Sequence, residues 1–194
     1  PTATQQTGWS FVAQIRPYVP DHIGGIFWFG VDDAATTLYI PMYCRMTEVP
    51  ECMREGNGDL YTYSSTSAFW AFNTVANYAY SKYSDMRVDI AKLQEQWESY
   101  FVSAVAATDV AVSQMPDADA RTHLTRFSCS QAEAATASWR KLFEYLMVKY
   151  LDGQVKKEDA NGFIRNEYGC PVGPNRKSFP EDFLRKIADE TAHE

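Results

Sequence analysis

The segment Ile26–Cys44, with the sequence IFWFGVDDAATTLYIPMYC, decides the fold of the first part of the chain. Two apolar runs flank a polar link that begins with Asp32 and Asp33. The first run, Gly24–Val31, is apolar at successive positions, and strands of this kind are usually covered on both faces. The second run, Thr37–Tyr43, can return alongside the first. The segment therefore predicts an antiparallel hairpin whose first strand is deeply buried.

This hairpin is expected to extend to a three-stranded antiparallel sheet. Residues Trp9–Arg16 alternate, with Trp9, Phe11, Ala13 and Ile15 on one side, which predicts a strand with one buried face. Pro41 cannot donate a backbone hydrogen bond, so its strand is expected at an edge or at a bulge. Three side chains of the central strand are predicted to be almost wholly buried: Ile26, Trp28 and Val31.

The two aspartates have two interpretations. If both belonged to the strand, their side chains would point to opposite faces and could not share a proton. If they begin the turn, their carboxylates accept backbone N–H groups and fix the hairpin. The turn interpretation is favoured, and it predicts that the side chains point apart and that at least one accepts a backbone N–H. One carboxylate at the end of a buried strand then remains available to orient a substrate amine or a neighbouring arginine.

The remainder of the sequence is predicted to be mostly helical, so the fold class is α+β. We predict sheet strands in residues 1–45, helices in residues 65–153, and a loop with a short terminal helix in residues 154–194, all within a single segment. A break in the helical part is expected near Ser84–Asp85. The tail is expected to be loop over Asn161–Ser178, followed by a helix over Phe179–Ala188, with Pro180 in its first turn.

The composition excludes several classes of function. The formal charge is −7, and no segment concentrates Lys and Arg, so nucleic acid is not an expected partner. No apolar run reaches the roughly 18 residues that a membrane span needs. The sequence contains no CxxC pair, and no metal or cofactor is predicted because the histidines stand alone. These histidines are His22, His123 and His193.

The thiols are expected to be free and partly buried. The four cysteines, Cys44, Cys52, Cys129 and Cys170, are widely spaced. Cys44 and Cys52 are close enough in sequence to pair, but spacing alone does not establish a disulfide. The compartment in which the protein works is not indicated.

Arg16 is the other candidate for a binding residue. It ends the first strand beside a proline, and a guanidinium group suits bidentate binding of a carboxylate. A strand-end arginine on the surface is the favoured alternative. Asn73 and Asn77 lie four residues apart on one face of a predicted helix, where a structural role in binding loop backbone is expected. The residues alone therefore provide three weak substrate-binding candidates and no catalytic residue: Arg16, Asp32 and Asp33.

Three stretches resemble the C-terminal part of the dipeptidase A-type cysteine peptidases, relatives of the secernins within the N-terminal-nucleophile hydrolases. They are IGGIFWFGVDDAATTLYIPMYC at Ile23–Cys44, SAFWAFNTVANYAYSKYSDM at Ser67–Met86, and WRKLFEYLMVKYLDG at Trp139–Gly153. The stretches occur in the family's order and, with similar flanks, cover most of the chain. The combination of the WFGVDDA strand end with the AFWxFNxVANYAY helix is specific.

The resemblance implies that the fold is a four-layer αββα sandwich and that the enzyme cleaves dipeptides. It also implies a cysteine nucleophile at the mature N-terminus, whose own α-amino group, with an ordinary pKa of about 8, acts as the base. None of the four cysteines here matches the nucleophile's motif. The chain is therefore expected to be the C-terminal portion of a longer dipeptidase and to be inactive by itself.

The resemblance implies two partners, the upstream half of the same enzyme and a dipeptide substrate. Assembly into a homo-oligomer is neither predicted nor excluded. The alternative is a non-catalytic interaction module that retains the fold. An apolar sheet face left exposed would favour that alternative, because large exposed apolar patches usually mark partner surfaces.

Overall fold

The computed structural model describes residues 3–172, 175–176 and 179–192. The fold is α+β, as predicted, with antiparallel strands in the first part and helices in most of the rest. The chain forms two compact units, Pro1–Glu144 and Tyr145–Glu194.

The first unit begins with a three-stranded antiparallel sheet of order β1-β2-β3. Its strands are β1 (Trp9–Ile15), β2 (Gly25–Val31) and β3 (Ile40–Tyr43). The predicted hairpin is confirmed, but β3 is shorter than expected because residues 37–39 are not in a strand. Pro41 lies in an edge strand, opposite Trp28, as its missing N–H predicted.

Three long helices follow the sheet: α1 (Ala68–Ala79), α2 (Tyr83–Val112) and α3 (Asp117–Tyr150). The break between α1 and α2 is a 3₁₀ turn at Tyr80–Lys82, slightly before the position predicted near Ser84–Asp85. Phe72 of α1 stacks on Trp139 of α3, with ring centroids 5.1 Å apart.

One face of the sheet packs against the helices. Ile26 and Tyr43 belong to a core cluster that also contains Val105 and Val112 of α2. Ile26 and Val31 are buried as predicted, but the prediction for Trp28 is wrong, since this side chain is only half-buried. Its Nε1 donates to Gln14 Oε1 at 2.9 Å, and its ring lines an open groove between β1 and α2.

The opposite face of the sheet carries four aromatic rings with neighbouring centroids 4.7–6.3 Å apart. Trp9 and Phe11 on this side are 59% and 47% exposed. The alternation predicted for β1 is correct, but the prediction that this side is buried is wrong, because the described residues leave it open to solvent. We call the four side chains the aromatic face: Trp9, Phe11, Phe27 and Phe29.

The second unit contains two short antiparallel strand pairs and a helix. β4 (Gln154–Val155) pairs with β7 (Asn175–Arg176), and β5 (Glu158–Asp159) pairs with β6 (Gly162–Phe163). The terminal helix, α4, spans Glu181–Thr191. The prediction of an uninterrupted loop over residues 161–178 is therefore wrong where β6 and β7 form, and residues 173–174 and 177–178 lie outside the described part.

Side-chain contacts tie the start of this unit to the β5–β6 pair. Lys149 Nζ binds Glu158 Oε1 at 2.8 Å, and Tyr145 stacks on Phe163 with centroids 5.9 Å apart. Pro180 precedes α4, which begins two residues later than the Phe179 start that the sequence predicted.

Candidate functional site

The site lies where β2 ends. Asp32 follows Val31 directly and has a φ of 65°, in the left-handed region that aspartate and asparagine tolerate better than other side chains. Its backbone N–H donates to Gly8 O at 2.9 Å, which joins the strand end to the segment that precedes β1. The residue is only 3% exposed. Buried backbone strain of this kind is concentrated at functional sites.

A row of amide side chains leads to the Asp32 carboxylate. Asn73 Nδ2 donates to Asp32 Oδ1 at 3.1 Å. Asn77 Nδ2 in turn donates to Asn73 Oδ1 at 2.9 Å, and Gln5 Nε2 donates to Asn77 Oδ1 at 3.1 Å. The loop-backbone partner expected for Asn73 is wrong, since Asn73 Nδ2 donates to a carboxylate.

The second carboxylate oxygen of Asp32 is unsatisfied. Oδ2 is buried and has no hydrogen-bond partner among the residues that the structure describes. Burial raises the pKa of the Asp32 carboxyl. Hydrogen bonds from Asn73 and from the Asp33 backbone oppose that shift, and the Asp33 charge adds to it. Since a buried polar atom without a partner is costly, this oxygen is a point where a ligand donor would be stabilised.

Asp33 belongs to the turn, as the sequence predicted. Its Oδ1 accepts the backbone N–H of Ala35 at 3.1 Å, and its Oδ2 lies 3.5 Å from Thr36 Oγ1. The hydroxyl of Tyr80 reaches the same Oδ2 at 3.4 Å. The two aspartates therefore have different partners, and the prediction that at least one accepts a backbone N–H in the turn is confirmed.

The link after the turn is held in place from two sides. Thr37 Oγ1 donates to Val31 O at 2.7 Å, and Gln94 Nε2 of α2 donates to Thr37 O at 2.6 Å. A β-carbon at Gly30 would lie 2.8 Å from Thr37 Cγ2, so the close approach of the link to β2 requires glycine there. These contacts fix the position of Asp32 and Asp33 relative to the sheet.

Arg16 lies at the other end of the same strand pair. β1 and β2 pair from Trp9 with Val31 to Ile15 with Gly25. Asp32 follows the first of these pairs and lies level with Gly8, and Arg16 follows the second, so roughly 26 Å separates them along the strands. The structure therefore brings Asp32 and Asp33 together but does not bring Arg16 to them.

Arg16 is buried and binds a half-buried carboxylate. It is 7% exposed, so the alternative of a surface arginine is wrong. Its guanidinium group binds both carboxylate oxygens of Asp109 in α2 and also donates to Ile23 O. Tyr43 donates its hydroxyl to Asp109 Oδ1 at 2.6 Å. Burial, with a smaller contribution from Asp109, raises the pKa of Tyr43.

The four thiols are free, as predicted, but the expected partial burial is wrong for Cys44 and Cys170, which are exposed. Burial, with a smaller contribution from Glu133, raises the pKa of Cys52 to about 12, so this thiol is neutral near pH 7 and a poor nucleophile. Burial and the Glu48 charge also raise the pKa of Cys129.

Within the described ranges, no group of three or more His, Cys, Asp or Glu side chains is arranged to hold a metal ion. His193, one of the three isolated histidines of the sequence, lies outside those ranges. No helix in the described part of the chain is both long and apolar enough to cross a membrane.

A cavity of about 250 Å³ adjoins the end of β2. Phe29 and Val31 of β2 and Phe69 of α1 provide apolar walls, and Arg54 and Asn57 contribute polar groups. Val31 directly precedes Asp32, and Phe69 is one helical turn from Asn73 on the same face of α1. The cavity and the Asp32 carboxylate therefore share their supporting elements.

Comparison with known proteins concerns mainly the first half of the chain. Residues 1–96 match the model of peptidase family C69. The matched part contains β1–β3 and α1, and thus the whole arrangement around Asp32. A protein named "Probable dipeptidase" from Latilactobacillus sakei is 26% identical over 112 residues, which are 56% of this chain. The match spans about a fifth of that relative, 22% of its length. Both findings support the peptidase family.

Replacing Asp32 with asparagine is expected to change the pH dependence of stability. The raised pKa means that the folded protein holds a proton on Asp32 where the unfolded chain, with a pKa near 3.9, has lost it. The wild type therefore loses stability as pH rises above about 4, and Asp32→Asn does not lose this contribution. Between pH 4 and 7, the free energy of unfolding of the wild type should therefore fall relative to that of Asp32→Asn.

Urea denaturation followed by tryptophan fluorescence measures this difference in the first unit, because all five tryptophans lie before residue 145. Asp119→Asn, the same exchange at an exposed position of α3, is the control. A constant difference between Asp32→Asn and the wild type over this pH range would contradict the raised pKa.

Proposed function

We propose that this chain is part of a cysteine dipeptidase whose nucleophile lies outside the 194 residues. The observation that carries the proposal is the family match over residues 1–96, which covers the complete sheet and α1. The similarity to a probable dipeptidase adds support for dipeptides as the substrate class. The resemblance of the three sequence stretches to dipeptidase A-type enzymes points to a cysteine at the mature N-terminus.

The proposed chemistry is acyl transfer through a thioester. The α-amino group of the N-terminal cysteine takes the thiol proton, and the sulfur attacks the peptide carbonyl carbon. Hydrogen-bond donors stabilise the negative oxygen of the intermediate. The C–N bond then breaks, the leaving amine takes the proton, and the second amino acid departs. Water hydrolyses the thioester and releases the first amino acid.

Two of the four thiols of this chain are poorly suited to that role. Cys52 is buried with a pKa of about 12. Cys129 also has a raised pKa. Neither provides the thiolate that the reaction needs at neutral pH. Because none of the four cysteines matches the nucleophile's motif in the family that the sequence resembles, we infer that the 194-residue chain does not hydrolyse dipeptides by itself.

The aromatic face supports the presence of a partner sheet. Trp9 and Phe11 are about half exposed, although stacked aromatic side chains of this kind normally bury large areas. A second sheet packed face to face on the aromatic face would cover them and build the sandwich that the family resemblance implies.

The alternative is a non-catalytic interaction module, and the same exposed face favours it. In that case the partner that covers the aromatic face is another protein, and no dipeptide is cleaved. Activity of a longer protein decides between the two functions.

The test is release of free amino acids from a panel of unblocked dipeptides. Three proteins are compared: the 194-residue chain, the same chain joined to its upstream part from the mature cysteine onward, and the longer protein with that cysteine replaced by alanine. We expect turnover only by the unmodified longer protein. In triad enzymes, loss of the nucleophile leaves about 10³–10⁴-fold acceleration over water, and a comparable background is expected here.

Turnover by the 194-residue chain would overturn the proposed external nucleophile. A longer protein that folds with its cysteine intact and releases no amino acid would favour the interaction module.

A further inference from the structure

We propose that Asp32 binds the protonated α-amino group of the peptide substrate through its free carboxylate oxygen. This inference rests on the proposed function, since it names the group that selects unblocked peptides. The observation behind it is the unequal state of the two oxygens: Asn73 donates to Oδ1 at 3.1 Å, and Oδ2 is buried without a partner among the described residues.

The free oxygen selects a compact cation. An isolated buried carboxylate is costly, and a positively charged N–H donor offsets both the missing hydrogen bond and the charge. A guanidinium group binds best through two oxygens in a fork, but here one oxygen is already taken by Asn73. An ammonium group needs only one acceptor oxygen for a charge-assisted hydrogen bond.

The charge that acts on the pKa of the Asp32 carboxyl belongs to a second carboxylate, Asp33. The groups that affect the pKa of Asp32 are Asn73 and Asp33: hydrogen bonds from Asn73 and from the Asp33 backbone lower the pKa, and the Asp33 charge raises it. Tyr80, which contacts Asp33, is neutral near pH 7, and its pKa is raised by burial and by that carboxylate. A cation that binds at Oδ2 is therefore attracted by two carboxylates at once.

The carboxylate is held before any ligand arrives. The Asp32 N–H bonds to Gly8 O, and the Asp32 backbone is in the left-handed region. Asn73 is itself fixed by Asn77, and Asn77 by Gln5. A site with its acceptor already oriented loses less entropy on binding. The adjoining cavity of about 250 Å³ offers apolar walls at Val31 and Phe69 for a substrate side chain.

Binding is tested on the 194-residue chain, which contains Asp32 and the amide side chains that hold it. Aspartate is labelled with ¹³C at the carboxyl carbon, and alanyl-alanine is titrated in parallel with N-acetyl-alanyl-alanine. We expect the free-amine dipeptide to shift the Asp32 signal and to lower the pKa read from it, because a bound cation stabilises the charged form. The acetylated peptide is expected to bind at least about tenfold more weakly, as loss of one charge-assisted hydrogen bond implies.

Asp32→Asn supplies the matched variant, since asparagine also tolerates the left-handed backbone and keeps the shape of the side chain. It should bind both peptides equally weakly, while Asp119→Asn should behave like the wild type. Urea denaturation verifies that the variants are folded. Equal affinity of the wild type for the two peptides, or no effect of either peptide on the Asp32 signal, would overturn the inference.

Kinetics of the longer protein separate this inference from the proposed function. If Asp32→Asn cleaves dipeptides with an unchanged KM, the inference fails and the dipeptidase proposal stands. If the free-amine dipeptide binds through Asp32 and no peptide is cleaved, the inference stands and the proposed function fails.

Discussion

Asp109→Ala is expected to destabilise the first unit by about 3–5 kcal/mol, the range measured when one partner of a buried ion pair is removed. The Arg16 guanidinium group would remain 7% exposed beside β1 with its main counter-charge gone. Tyr43 would also lose its 2.6 Å hydrogen bond, although its hydroxyl can still donate to Val105 O at 3.3 Å. Urea denaturation followed by tryptophan fluorescence measures the loss.

Two controls identify the cause. Glu51→Ala removes an ion pair with Arg54 whose side chains are 65% and 54% exposed, and it should cost less than about 1 kcal/mol. Arg16→Met combined with Asp109→Ala should be more stable than Asp109→Ala alone, because the unpaired charge is then also removed. A double variant less stable than Asp109→Ala would show that packing, and not charge, dominates at this position.

The hairpin could be predicted because its apolar pattern agrees with its turn chemistry. The run Gly24–Val31 has no polar side chain, Asp33 suits a turn, and Pro41 suits an edge strand. Each of these properties is local, so the sequence near the segment is sufficient to predict it.

The burial of β1 could not be predicted in the same way. Alternation identifies which side chains share a face, but it does not identify what covers that face. Trp9 and Phe11 lie on the expected side of β1 and are about half exposed because no described residue packs over them. The sequence pattern is that of a covered strand, which agrees with a partner sheet outside this chain.

The candidate site was predicted in part. Asp32 and Asp33 were recognisable from their position after a buried strand, and the spacing of Asn73 and Asn77 was visible on α1. The pairing of Asn73 with Asp32, 41 residues apart, depends on how α1 docks on the sheet, which local patterns do not determine. Asp109 gave no signal in the sequence, since it is one acidic residue in a 30-residue helix and lies 93 residues from Arg16.

The two ends of the β1–β2 pair consequently have different roles. At one end the guanidinium group of Arg16 binds both carboxylate oxygens of Asp109, which fastens the sheet to α2, although its Nε is buried without a partner in the described part of the chain. At the other end an acidic group keeps one oxygen free. The Arg16 charge is compensated by Asp109, whereas Asp32 has no ion-pair partner within the described ranges, and this difference separates a structural ion pair from a candidate ligand site.

Trp139→Ala is expected to destabilise the first unit by about 3–5 kcal/mol, as for other large-to-small exchanges of buried aromatic residues. Trp139 is fully buried in α3 and stacks on Phe72 of α1, with centroids 5.1 Å apart. Removing the indole leaves a cavity between the two helices, and the stacking contact with Phe72 is lost. Urea denaturation followed by the fluorescence of the remaining tryptophans measures the change.

The exchange to phenylalanine separates packing from polarity at this position. Trp139 Nε1 is buried with no acceptor among the described residues, so Trp139→Phe keeps a ring against Phe72 and removes an unsatisfied donor. It should therefore cost clearly less than Trp139→Ala. Trp9→Ala on the aromatic face is the matched control, because Trp9 is 59% exposed and should lose little in this chain. An equal loss for Trp9→Ala and Trp139→Ala would contradict the burial on which the prediction depends.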